Sequence, residues 1–80
     1  MPDTDSARLL ADIGRKTRKM REEAGMTQGG LARRLRTTKV FVCKIEEGRQ
    51  HNLRLATLIR IAAVFGRRVK LTFVKRKGGV

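Results

Sequence analysis

Residues 27–48 read TQGGLARRLRTTKVFVCKIEEG, and this stretch decides the fold. Apolar residues recur in it with helical spacing in two blocks that two threonines separate: Leu31, Ala32 and Leu35, then Val42 and Ile45. Each block predicts a short helix that turns one apolar stripe inward. The two blocks together predict a pair of helices joined by a tight turn.

The second helix of this pair turns a mixed face outward, which carries Lys39, Val40, Cys43, Lys44 and Glu47. Lysine can donate hydrogen bonds to guanine, and valine can pack on the methyl group of thymine. We therefore expect Lys39, Val40, Cys43 and Lys44 to read bases in a DNA major groove. The alternative interpretation of this face is a solvated basic surface.

The length and the charge of the chain each predict a binding partner. With 80 residues the chain predicts one domain, residues 1–80, whose core supplies only about 3 to 5 kcal/mol, so a partner subunit is expected. There are 20 lysines and arginines against 7 acidic residues, and the formal net charge is +13. No acidic residue follows Glu47. Such a charge predicts a polyanionic partner, and nucleic acid is the first candidate.

The rest of the chain predicts further helices and one strand. Helices are expected at about residues 6–24, 28–35, 38–47 and 54–65, with Thr27 and Thr38 as the N-caps of the second and third. A strand is expected at about 68–75 and a basic tail at 76–80. In the strand Val69, Leu71 and Phe73 alternate with more polar residues. Because a lone strand cannot satisfy its own backbone groups, we expect it to pair with the same strand of a second chain. The expected fold class is mainly α, with a strand-paired homodimer.

Several other classes of protein are disfavoured. The lone Cys43 and the distant His51 cannot make a zinc site, and no pair of carboxylates is placed for general acid and base catalysis. We therefore expect no enzyme, no metal and no cofactor. The sequence has no apolar run of bilayer length and no signal peptide pattern, so a cytoplasmic protein without a membrane partner is expected, associated with the nucleoid when bound to DNA.

Residues 25–48 also carry a family pattern, made by Gly25, Met26, Thr27, Gln28, Leu31, Ala32, Leu35, Thr38, Val42, Ile45, Glu46 and Gly48. At these spacings the chain resembles the Xre/Cro-like, or lambda-repressor-like, helix-turn-helix family over about residues 13–66. The resemblance implies a four-helix domain that binds double-stranded DNA as a homodimer. Its operator would be an inverted repeat with half-sites roughly 34 Å apart.

The resemblance also implies roles for particular residues. Lys39, Val40 and Lys44 match the base-reading positions, and Arg21 with Glu46 matches an internal ion pair between helices 1 and 3. Gln28 matches a glutamine that binds a DNA phosphate at the start of helix 2, where the helix terminus also favours an anion. The phosphate contacts expected for the whole domain are those of Thr27, Gln28, Thr38, Arg49 and Arg54.

Two of the departures from the common pattern of the family lie after helix 2 and at the end of the chain. Arg36 stands where a glycine usually follows helix 2, so we expect an altered turn there, since a left-handed non-glycine residue costs about 1 to 2 kcal/mol. The segment RRVKLTFVK stands where the family has a fifth helix. This ending resembles the antitoxin branch, the HigA-like and HipB-like proteins, and also short Cro-type repressors.

The function expected from the sequence is therefore that of a DNA-binding transcriptional repressor. The antitoxin resemblance further implies a type II toxin-antitoxin pair, in which the chain represses its own operon and binds a cognate toxin. A free-standing Cro-like or Xre-like repressor is one alternative. The other is a protein-interaction subunit that mainly neutralises a toxin.

Overall fold

The structure is a computed structural model that describes residues 4–76. In this part of the chain it contains four helices: α1 (Thr4–Glu23), α2 (Gln28–Leu35), α3 (Lys39–Glu46) and α4 (Leu55–Val64). These are the four helices that the sequence predicts, with ends that differ by at most two residues. The start and the end of the chain, residues 1–3 and 77–80, lie outside the described residues, and with them most of the predicted basic tail.

The core lies between the helices of the pair and the two helices that flank it. Leu31 of α2 and Val42 of α3 are both 0% exposed, and Leu35, Ile45 and Ile61 are buried beside them. α1 packs on α3, α3 packs on α2, and α2 packs on α4. The apolar stripes predicted for α2 and α3 therefore face each other, which leaves the opposite side of α3 in solvent.

A glycine sets how closely α1 approaches α3. A Cβ atom added to Gly14 would lie 2.5 Å from the carbonyl oxygen of Glu46 and 2.6 Å from that of Ile45, both of which are backbone atoms. Any side chain at this position would therefore push the two helices apart. α1 thus crosses the last turn of α3 at a distance that requires glycine.

All four helices end with the same backbone hydrogen bond, from an N–H to the carbonyl five residues earlier, as in a Schellman motif. The N···O distances are 3.0 Å for Met26 to Arg21, 2.9 Å for Thr37 to Ala32, 2.9 Å for Arg49 to Lys44 and 2.8 Å for Arg67 to Ala62. The residue before each donor is left-handed. It is glycine in three of the four motifs and Arg36, with φ 56° and ψ 49°, in the motif that ends α2.

The expectation of an altered turn at Arg36 was therefore wrong. The turn keeps the geometry that a glycine would give it, and the structure shows what supports this geometry. Besides the bond from Thr37, the guanidinium of Arg60 in α4 donates a hydrogen bond to the carbonyl of Leu35. A contact between α4 and the end of α2 thus helps to fix the turn in which Arg36 is strained.

Threonines begin both helices of the pair. The Thr27 hydroxyl accepts a hydrogen bond from the Gly30 N–H at 2.9 Å, and the Thr38 hydroxyl accepts one from the Phe41 N–H at 3.1 Å. Each threonine has an extended backbone, as an N-cap residue does. The start of α2 and the start of α3 are therefore fixed by local contacts that the sequence already indicates.

The C-terminal segment, residues 67–76, does not form the predicted strand. Residues 67–76 have no regular secondary structure, and the described part of the chain contains no strand at all. Val69 is 43% exposed, Leu71 76% and Phe73 88%, so the alternating face is uncovered. The physical reason is the one that led us to expect a dimer: within one chain there is no second strand to which these backbone groups can bond.

The same segment runs back along α1. Val69 and Lys70 line a groove together with residues between 12 and 23 of α1, whereas the guanidinium of Arg76 forms an ion pair with Asp5 in the first turn of α1. Both side chains of this pair are mostly exposed, so it holds the segment only weakly.

Among residues 4–76, no helix combines the length and the apolar character needed to cross a membrane.

Candidate nucleic-acid interface

The outward face of α3 is exposed along its whole length. Lys39, Val40 and Lys44 are exposed, with Val40 at 63%, and Cys43 is partly exposed. The opposite face of α3 holds the buried Val42 and Ile45. The four residues that we predicted to read bases thus lie together on one side of a helix whose other side is fixed in the core.

An ion pair holds α3 to α1. The Arg21 guanidinium donates to the Glu46 carboxylate from Nε at 2.6 Å and from Nη2 at 3.0 Å, while Nη1 donates to the Met26 carbonyl at 2.8 Å. The side chains are only 12% and 3% exposed. The hydrogen bonds to Glu46 raise the pKa of Arg21 above its ordinary value, although burial opposes this. The structure therefore places Arg21 and Glu46 in the pairing that the resemblance implies.

Gln28 joins the same group of side chains. Its amide nitrogen donates to Glu46 Oε1 at 3.1 Å, so that Glu46 accepts bonds from both α1 and α2. In the free chain the Gln28 side chain is therefore turned toward the protein rather than toward solvent. Its second amide hydrogen and its backbone N–H, at the first position of α2, are the donors left for a phosphate.

A recess forms between α1 and the starts of α2 and α3. Its lining consists of four residues at the starts of α2 and α3, two arginines of α1, and two carboxylates that are each paired with an arginine: Thr27, Gln28, Gly29 and Lys39, Arg18 and Arg21, and Glu46 and Glu47. Sequence reasoning missed Arg18, whose guanidinium is mostly exposed and bonds Glu22 at 3.2 Å. Its position three residues before Arg21 was the available signal, since residues with this spacing share a helix face.

The last turn of α3 carries a short chain of polar contacts. The Cys43 thiol donates to Glu47 at 3.2 Å, and the Arg49 guanidinium donates to the same carboxylate at 2.7 Å. The bond to Arg49 lowers the pKa of Glu47, and the bond to Glu47 raises the pKa of Cys43. Cys43 is therefore a protonated thiol near neutral pH, which suits a small groove-facing side chain better than a nucleophile.

The predicted phosphate contacts do not all lie in one place. Thr27 and Gln28 line the recess, and Thr38 is exposed where α3 begins. Arg49 and Arg54 are exposed in the loop between α3 and α4, and Arg49 is already paired with Glu47. The structure thus groups Thr27 and Gln28 with Lys39 and leaves the two loop arginines apart from the recess.

The charges around this face are mainly uncompensated. Among the exposed cations of residues 4–76 that have no carboxylate within 4.0 Å, six belong to α2, α3, the turn between them and the loop that follows: Arg33, Arg34, Arg36, Lys39, Lys44 and Arg54. Unpaired cations of this kind attract a polyanion and lose that attraction as salt increases. The same part of the chain contains no cluster of histidine, cysteine or acidic residues that could hold a metal ion.

Comparison with known proteins identifies the class. Residues 12–72, about three quarters of the chain, match the family described as a helix-turn-helix domain. The chain therefore belongs to the helix-turn-helix domain family, and α2 and α3 are the pair of helices that gives the family its name. Membership in this family indicates a DNA-binding regulator. The comparison with curated proteins gave no match.

Proposed function

We propose that the chain is a sequence-specific transcriptional repressor that inserts α3 into the major groove of its operator. The observation that carries this proposal is the exposed face of Lys39, Val40, Cys43 and Lys44 on a helix whose other side is fixed by the core and by Glu46. Because the helix is held before DNA arrives, little ordering is required on binding. The lysines donate to guanine and Val40 packs on thymine.

The recess beside α3 supports this proposal with a place for a backbone phosphate. Thr27, Gln28 and Lys39 line it together with Arg18. The start of α2 borders this recess. The first N–H groups of the helix are there, and the helix dipole favours an anion at that end. We assign the main phosphate contact to Gln28, with Arg18 as an added charge. Thr38, Arg49 and Arg54 are the further phosphate contacts that we propose.

Selection of duplexes from a random library tests base reading directly. The parent chain is expected to enrich one inverted-repeat sequence. Lys39→Ala should relax the preference at one position of each half-site, since a direct base contact contributes about 1 to 3 kcal/mol of discrimination. Arg8→Ala, which removes an equal charge from the exposed face of α1, is the matched control and should keep the parent preference.

Unchanged specificity in Lys39→Ala would remove this lysine from the base-reading set. A gel-shift titration at increasing salt completes the test. A specific binder keeps its preference for the selected duplex as salt increases, whereas a non-specific polycation loses all duplexes alike.

We also propose that the repressor is a homodimer closed by residues 68–75. Leu71 and Phe73 are exposed apolar side chains of the C-terminal segment, and the backbone beside them makes no backbone hydrogen bond within residues 4–76. Pairing with the same segment of a second copy would cover both. Leu71→Ser with Phe73→Ser should then dissociate the dimer in sedimentation experiments, and a profile identical to that of the parent would contradict this.

The finer role that we propose is that of a type II antitoxin, which binds a cognate toxin and represses the operon of both. It rests on the resemblance of the helical domain with its extended basic end to that branch. A free-standing repressor is the alternative within the same class. Co-expression with the product of the adjacent gene distinguishes them. If the chain suppresses the toxicity of that product, the antitoxin role is supported; if the product is toxic and the chain does not suppress it, the chain is a free-standing repressor.

The candidate from a different class is a protein-interaction subunit whose DNA-facing side chains are incidental. One observation favours a protein partner of some kind: a groove between α1, α4 and the start of the C-terminal segment has an apolar floor and cationic rims. If this subunit role were the main one, the library selection would enrich no sequence. Enrichment of a single inverted repeat would exclude it as the main role.

A further inference from the structure

A second concave surface lies away from the DNA-facing side. It is a groove of about 630 Å³ between α1, α4 and the beginning of the C-terminal segment. Lys16 and Lys19 of α1 line this groove, whereas Arg18 and Arg21 of the same helix line the recess beside α3. α1 therefore separates the two surfaces, and a molecule in the groove leaves the face of α3 uncovered.

The floor of the groove is apolar. It is formed by Ile13 and Met20 of α1 and by Leu58, Ile61 and Ala62 of α4. Ile61 and Ala62 are buried, while Ile13, Met20 and Leu58 are only partly covered by the chain itself. The floor is thus a part of the core that solvent still reaches. An apolar strip between two helices is the shape that accepts the apolar face of a third helix.

The two rims of the groove are cationic. Lys16 and Lys19 stand on the α1 side, and Arg67, Arg68 and Lys70 stand on the side of the C-terminal segment. Only two carboxylates line the groove, those of Asp12 and Glu23. Asp12 already bonds Arg15 and Lys16, which lowers its pKa. Five cations against two carboxylates leave both rims positive.

We propose that this groove binds an acidic amphipathic helix of a partner protein, with apolar side chains on the floor and carboxylates against both rims. The inference goes beyond DNA binding and does not depend on it. A second copy of the chain fits the groove less well, even if the two copies pair through residues 68–75, since the part of the chain after Glu47 has only basic charged residues and offers no acidic helix to the rims. DNA fits less well too, because an apolar floor gives nothing to a phosphate backbone.

The test uses the full chain and a synthetic peptide as probe. The probe is a fluorescein-labelled helix of glutamate, alanine and leucine, with leucines at i, i+3, i+4 and i+7. A peptide of the same composition with the leucines spread around the helix is its control. Anisotropy at physiological salt should show the first peptide binding at least about tenfold more tightly, because only it can present one apolar face. Amide chemical shifts should change in α1, α4 and residues 67–70.

Charge reversal on one rim gives the decisive comparison. Lys16→Glu with Lys19→Glu should lower the affinity for the acidic peptide by at least about tenfold, since like charges then face each other. Arg33→Glu with Arg34→Glu changes the net charge equally on α2, outside the groove, and should weaken it by less than about threefold because salt screens distant charges. Circular dichroism checks that both variants are folded.

Three results would overturn the proposal. They are equal binding of the two peptides, equal loss in the two double variants, and shift changes centred on α2 and α3. Absence of probe binding, together with shifts in α1 and α4 that depend on protein concentration, would assign the groove to a second copy instead, which also overturns it; shifts in residues 68–75 alone report on the proposed dimer. Duplex binding by Lys16→Glu with Lys19→Glu, measured in parallel, reports separately on the repressor function.

Discussion

The helix-turn-helix segment, residues 27–48, and the C-terminal segment, residues 67–76, are both basic stretches with regularly spaced apolar residues, yet they behave differently in the structure. In the first, Leu31 and Val42 are fully buried and both helices have threonine caps. In the second, Leu71 and Phe73 are mostly exposed. A helix satisfies its backbone within itself, whereas a strand needs a neighbour. A single chain can therefore complete the first segment but not the second.

The two segments also differ in their ion pairs. The pair of Arg21 and Glu46, which anchors α3, is almost fully buried and is bonded to two further groups, the Met26 carbonyl and the Gln28 side-chain amide. The pair of Arg76 and Asp5 is mostly exposed on both sides. A buried pair is costly to break because it leaves an uncompensated charge, whereas an exposed pair contributes little. Rigidity thus belongs to the DNA-facing segment.

Removing the cation of each ion pair should give the largest difference in stability between the two segments. Arg21→Met leaves the Glu46 carboxylate buried without its cation and should lower the free energy of unfolding by about 3 to 5 kcal/mol in urea denaturation. Arg76→Met is the matched control and should leave it unchanged within error. Equal losses in the two variants would show that the C-terminal segment is as firmly held as α3.

The apolar side chains of the two segments provide the next comparison. Leu31→Ala opens a cavity in the core and should lower the free energy of unfolding by about 2 to 5 kcal/mol at every protein concentration. Leu71→Ala removes an exposed side chain, so it should act only through the dimer and reduce the dependence of Tm on concentration. A loss that is independent of concentration in Leu71→Ala would contradict the assignment of this residue to a dimer interface.

The crossing of α1 over α3 is sensitive to a single methyl group. Gly14→Ala places a Cβ against two backbone carbonyls and should lower the free energy of unfolding by about 1 to 3 kcal/mol. Ala7→Gly, an exposed position in the same helix, is the control for helix propensity, and its cost of up to about 1 kcal/mol has no steric part. If Gly14→Ala instead stabilised the chain, the close contact between the two helices would be wrong.

A substitution in the turn between α2 and α3 should give the smallest change in stability, and this change should be a stabilisation. Arg36→Gly removes the strain of a left-handed non-glycine residue and should raise the free energy of unfolding by about 1 kcal/mol, the added flexibility of the unfolded chain offsetting part of the gain. Gly25→Ala, which introduces the same strain at the end of α1, should lower it by a similar amount. Destabilisation in Arg36→Gly would mean that the arginine side chain has a role in the turn.

The sequence predicted well the features that depend only on residues close together in the chain. The apolar stripes of α2 and α3 and the caps at Thr27 and Thr38 follow from spacing and residue type alone. The turn at Arg36 could not be predicted in this way, because the Arg60 bond to Leu35 comes from a helix that lies far along the chain. For Arg18 the spacing of three from Arg21 indicated only a shared helix face, since the recess that both line exists only once α1, α2 and α3 have packed together.

The most direct test of the account is the set of nuclear Overhauser effects between Val40 and the selected operator duplex. Val40 is exposed at the centre of the predicted base-reading face. If α3 lies in the major groove, its methyl protons should show contacts with thymine methyl groups or other base protons on the groove floor. Contacts of the duplex with other surfaces of the chain, and none with Val40, would contradict the claim that α3 reads DNA.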